Sequence, residues 1–72
     1  MQKAIQSIEY KKIISKLKQA RIEAGLTQKQ VAEIIKKPQS YISKIEASEQ
    51  RIDVMELKNF AKLYKKRVNY FL

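Results

Sequence analysis

A chain of 72 residues with 16 lysines and arginines against seven aspartates and glutamates carries a net charge of +9. Such a chain makes one domain, 1–72, and its excess positive charge favours a polyanionic partner, nucleic acid ahead of an acidic membrane surface. The absence of cysteine and histidine excludes a disulfide framework and argues against a metal centre, so neither metal nor cofactor is expected.

A domain this small buries only about 60% of its unfolded surface, which predicts modest stability. No apolar run approaches the roughly 18 residues of a membrane span. The opening "MQKAIQSIEYKK" lacks the apolar stretch of a secretory signal. A soluble, cytoplasmic, nucleoid-associated protein with no membrane partner is the expectation. One glycine, one proline and no sustained strand alternation predict an all-α fold of four to five helices joined by short connections.

The first helix is predicted from near Ser7 to Ala24. Tyr10, Ile13, Ile14, Leu17, Ala20 and Ala24 share one face, and Gly25 supplies the left-handed stop behind it. Residues 1–6 are undecided between extending this helix and fraying. Arg21 interrupts the apolar stripe, and a charge there requires a buried partner.

The second helix opens on a capping box, Thr27 with Gln30, and a hydrophobic staple, Leu26 with Val31. Val31, Ala32 and Ile35 face inward. Lys36, Lys37 and Pro38 end the helix, because proline disfavours a helical residue before it and brings no amide hydrogen. The third helix starts at Pro38 or Gln39 and ends near Ala47. Tyr41, Ile42 and Ile45 cluster on one side of it, and Gln39, Ser40, Ser43, Lys44 and Ala47 on the other.

The fourth helix repeats the start signal, with Asp53 as cap, Glu56 closing the box and Ile52 stapled to Leu57. Leu57, Phe60, Ala61 and Tyr64 form its apolar stripe. A fifth element is predicted to start at Asn69. Met55 and Leu63 point away from the stripe of the fourth helix. With Tyr70, Phe71 and Leu72 they are expected to form an exposed patch and a homodimer interface.

Two short helices joined by a tight turn inside a basic helical domain predict a helix-turn-helix over 28–47. The second helix braces the third, whose polar face then projects. A B-DNA major groove about 12 Å wide admits one such helix. Gln39 can pair bidentately with adenine, Lys44 can donate to guanine, and Ser40 and Ser43 can serve bases or phosphates. By itself such a face is an ordinary solvated one; the preceding helix and the break at proline turn the reading toward DNA.

The stretch "LTQKQVAEIIKKPQSYISKIEASEQRIDVMEL" resembles the Cro/repressor-type, or xenobiotic-response-element, helix-turn-helix family, and the likeness runs from about Tyr10 to Leu72. It implies that Gln39, Ser40 and Lys44 face bases. It places Gln28 where the family has a glutamine that contacts phosphate and braces the first residue of the recognition helix, here Gln39. It puts Thr27, Tyr41, Ser43 and Arg51 where backbone contacts fall, and it makes Arg21 and Glu46 a structural ion pair. The chain departs from the family at Lys36, Lys37 and Pro38, where many members have glycine, an apolar residue and a hydroxyl cap. A left-handed Lys36 costs about 1 kcal/mol or more relative to glycine. A lost hydroxyl cap costs roughly another 1 kcal/mol, offset in part by the pre-set φ of proline.

The leading reading is a sequence-specific regulator of transcription, a repressor that binds double-stranded DNA as a homodimer on a palindrome. Its recognition helices would then stand about 34 Å apart. With no space for an effector domain, regulation is expected through protein level, competition or a protein partner. An antitoxin or other partner-binding module on the same fold is the alternative. An enzyme is not expected, because the acidic residues occupy caps and helix faces and no glycine-rich phosphate loop is present. A membrane-surface helix is disfavoured by lysines spread over every segment.

Overall fold

The structure, a computed structural model, describes residues 7–72. The stretch 1–6, left undecided above, lies outside the described residues. Four α-helices, α1 Ile8–Glu23, α2 Gln28–Ile35, α3 Gln39–Glu46 and α4 Val54–Leu63, are followed by a 3₁₀ turn, Val68–Tyr70. No strand occurs among the described residues.

Each start is made by a local signal. Ser7 caps α1 by accepting the N–H of Tyr10 at 3.0 Å. Thr27 with Gln30 and Asp53 with Glu56 form complete capping boxes at α2 and α4. Pro38 opens α3 with extended backbone and no side-chain cap.

The ends share one device. Gly25, Lys36, Ser48 and Lys65 each take a left-handed conformation, with φ of 75°, 61°, 59° and 60°. The following N–H reaches back to the carbonyl five residues earlier: Leu26 to Arg21, Lys37 to Ala32, Glu49 to Lys44 and Lys66 to Ala61. This is the Schellman stop, which satisfies carbonyls the helix leaves open. Only the first of the four has glycine at the position that favours it. The other three carry the strain of a Cβ, as the reading of Lys36 required.

The core lies where the inner faces of the helices meet. Ile14, Leu17 and Ala20 of α1 are buried with Val31 and Ala32 of α2, Ile42 and Ile45 of α3, and Leu57, Phe60 and Ala61 of α4. Tyr10, Ile13, Ile35 and Tyr41 pack half-buried at its margin. Ala24, placed on the apolar stripe by its spacing, is exposed. It caps the helix end, where the chain is already turning out of register.

The C-terminal segment corrects the expected interface patch. The stop at Lys65 turns the chain back, and the 3₁₀ turn begins at Val68, one residue earlier than predicted. Phe71 is thereby driven into the core at 1% exposure, against Tyr70 in an edge-on contact with centroids 5.1 Å apart. Leu63 and Tyr70 are half-buried and pack on the core. Of the five residues, only Met55 and Leu72 are exposed, at 61% and 73%. Burial inside one chain takes Phe71, and much of Leu63 and Tyr70, out of water.

Candidate nucleic-acid interface

The face of α3 turned from the core carries Gln39, Ser40, Lys44 and Ala47, all exposed. The opposite face is sealed by Ile42 and Ile45, each 1% exposed. A helix of eight residues buried on one side presents the other as a unit, with an amide, a hydroxyl and an ammonium within two turns. Ser43 sits at the edge, half-buried, and its hydroxyl donates to the Ser40 carbonyl at 3.1 Å. That bond leaves the Ser43 oxygen as an acceptor and removes its proton from the outer surface.

The direction of α3 is set from behind by a buried polar node. Arg21 Nε donates to Glu46 Oε2 at 2.7 Å, and a second guanidinium nitrogen donates to Oε1 at 3.1 Å. The remaining nitrogen donates to the Leu26 carbonyl at 2.8 Å. Gln28 Nε2 donates to Glu46 Oε1 at 3.0 Å. Four points thus meet on one carboxylate and one guanidinium: the end of α1, the α1–α2 turn, the first residue of α2 and the last of α3. The hydrogen bond that Arg21 donates to Glu46 raises the Arg21 pKa above its ordinary value, against the opposing effect of burial. The charge in the apolar stripe has its partner.

Gln28 corrects the expected bracing. It holds Glu46, at the end of α3, and makes no hydrogen bond to Gln39 among the described residues. The carboxylate is the stronger acceptor, since a charged acceptor outcompetes a neutral one. Gln39 therefore stands with its amide unengaged, exposed at the start of the helix.

Tyr41, expected at a contact with the DNA backbone, is engaged within the protein. Its ring is half-buried under the Lys37 ammonium, which lies 5.2 Å from the ring centroid, and its hydroxyl donates to Glu56 Oε2. Burial, assisted by the Glu56 carboxylate, pushes the Tyr41 pKa up to about 12. The hydroxyl is committed to joining α3 to α4. Glu56 thus has a second role that its sequence position did not reveal: one oxygen completes the cap on the Asp53 N–H at 2.8 Å, and the other receives Tyr41. A partner 15 residues away leaves no trace in local spacing.

Thr27 and Arg51 flank the helix pair. The Thr27 hydroxyl accepts the Gln30 N–H at 3.0 Å, which leaves its proton available to donate outward. Arg51, in the α3–α4 loop, is exposed and makes no hydrogen bond or ion pair among the described residues. Lys36 and Lys37 ahead of α3 and Lys44 within it are exposed as well. Among the described residues no cluster of His, Cys, Asp or Glu could hold a metal ion, and no helix is long and apolar enough to cross a membrane.

A helix–turn–helix family model matches residues 17–71, from the middle of α1 to the buried Phe71. The chain belongs to the helix-turn-helix family. It is a Cro/repressor-type helix-turn-helix protein and a DNA-binding regulator, whose partner is double-stranded DNA. A comparison with curated proteins found no match. Within this helix-turn-helix protein α2 and α3 are the two helices of the motif, and the Arg21–Glu46–Gln28 node lies wholly inside the matched region.

Proposed function

We propose that the protein is a sequence-specific repressor that inserts α3 into the major groove. Gln39, Ser40 and Lys44 read base edges, while Thr27, Ser43, Arg51 and the neighbouring lysines engage phosphates. The observation that carries this reading is the exposed, unengaged side chain of Gln39 at the leading end of a helix whose far end is anchored by a buried carboxylate. A side chain that reads a base must be free in the unbound protein yet fixed in direction, and this arrangement meets both demands. Repression follows by occlusion, which asks nothing of the protein beyond occupying a promoter.

The test is selection of bound sequences from a random duplex pool at physiological salt, followed by titration of the Gln39→Ala variant. A consensus is expected, with affinity falling by a slope of about 0.9 per phosphate neutralised as salt rises. Gln39→Ala is expected to relax one base position at a cost of about 1–3 kcal/mol. Equal loss on selected and random duplexes would show that Gln39 does not read a base. A palindromic consensus would mean that two copies bind across a two-fold axis, and an asymmetric one that a single copy does.

A further inference from the structure

The loop between α3 and α4 is fixed at both ends. Behind α3, Ser48 takes the left-handed stop and the Glu49 N–H returns to the Lys44 carbonyl at 2.8 Å. Ahead of α4, the Asp53–Glu56 box holds residue 53. A third attachment comes from α1. The Tyr10 hydroxyl donates to the Gln50 carbonyl at 3.5 Å and accepts the Ile52 N–H at 3.2 Å, across 40 and 42 residues of sequence. These two bonds straddle Arg51. The phenol therefore holds the chain mainly at Ile52, with a long, weak contact to Gln50 on the other side of the cation, and leaves the cation itself unengaged.

Tyr10 packs its ring half-buried at the edge of the core, and its oxygen joins α1 to this loop. Among the described residues, the Arg51 N–H has no acceptor and its guanidinium no carboxylate. A planar guanidinium suits a phosphate, to which it can donate two parallel hydrogen bonds. A loop that must be ordered on binding loses conformational entropy at that moment, and one already held in shape does not.

We propose that Tyr10 is a positioning residue for DNA: its hydroxyl holds residues 50–52 in the shape that delivers Arg51 to a phosphate beside the groove occupied by α3. The proposal rests on the reading of α3 as the groove-entering helix. It assigns a DNA-directed role to a side chain that touches no base and no phosphate.

The experiment uses the full chain with Tyr10→Phe, which keeps the ring and removes the hydroxyl. Affinity for a selected duplex and for an unrelated duplex of equal length is measured over a range of salt, well below the melting temperature of each variant. Tyr10→Phe is expected to weaken binding to both duplexes by about three- to tenfold, the worth of one or two hydrogen bonds. The slope against salt should become shallower by up to about one phosphate's share. Base preference should be unchanged, and Tyr10→Phe added to Arg51→Ala should weaken binding no further than Arg51→Ala alone. In the free protein, the Ile52 amide should exchange its hydrogen faster in the variant. Wild-type affinity and salt slope combined with a lowered melting temperature would overturn the proposal, because the hydroxyl would then serve folding alone. Losses that add to those of Arg51→Ala would also overturn it. Failure of the α3 reading looks different: no preferred sequence emerges and Gln39→Ala weakens all duplexes alike, while the unrelated duplex still decides the role of Tyr10.

Discussion

Arg21 of α1 and Glu46 of α3 meet in a two-point fork, 2.7 and 3.1 Å, with side chains only 10% and 4% exposed. Glu46 is also the residue that Gln28 holds, so the pair fixes α3 against both α1 and α2. Removing one partner leaves the other charge buried and alone. Arg21→Ala or Glu46→Ala is expected to cost about 3–5 kcal/mol in chemical denaturation. The apolar double replacement, Arg21→Met with Glu46→Leu, should recover much of that loss, because a buried ion pair contributes little beyond its own desolvation. A double variant no more stable than either alanine variant would show that the hydrogen bonds to Leu26 and Gln28, rather than charge balance, carry the node.

Phe71 belongs to the core of one chain. At 1% exposure its truncation removes a large apolar side chain and leaves a cavity. Phe71→Ala is expected to destabilise by about 3–5 kcal/mol, a large share of what a domain this size possesses. The unfolding midpoint should not depend on protein concentration. A small loss that grows on dilution would return Phe71 to a surface between two copies.

Lys36 stores strain that glycine would release. Its φ of 61° puts a Cβ in the left-handed region. The saving of about 1–2 kcal/mol is partly offset by the freedom glycine adds to the unfolded chain, so Lys36→Gly should gain about 0.5–1 kcal/mol. Lys36→Ala removes the same charge and keeps the strain, and should show no gain. Equal stability of the two variants in urea would mean that the turn is held by its hydrogen bonds with no backbone cost.

Alkali should unfold the protein through its tyrosines. Burial raises the Tyr64 pKa above the usual tyrosine range, and Tyr41 is pushed from 10.0 to about 12 by burial and Glu56. Above pH 10 the unfolded chain has released protons that the folded chain retains, so the native state binds more protons and stability falls as pH rises. Below pH 10 the contribution is fully present. The denaturation midpoint is expected to decline from about pH 10 toward 12. Tyr64→Phe, which keeps the ring, should move that decline to higher pH. An unmoved alkaline limb in the variant would assign the loss to another group.

Much of the fold was legible residue by residue. The boxes at Thr27–Gln30 and Asp53–Glu56 and the stop at Gly25 all act within about one helical turn, a range that sequence spacing describes directly. The strained stop at Lys36 was instead implied by the family resemblance. Helical periodicity separated Ile42 and Ile45 from the exposed Gln39, Ser40 and Lys44, because a face is a property of one helix.

What tertiary structure alone decided is which side chains meet across elements. Gln28 turns to Glu46 rather than Gln39, Tyr41 to Glu56, Tyr10 to the backbone beside Arg51, and Phe71 into the core rather than outward. Those partners stand 15 to 42 residues apart, and their distances follow from how four helices pack, not from any repeat along the chain. A side chain near such a junction settles on the strongest acceptor or the driest cavity within reach, and reach is defined only once the helices are in place.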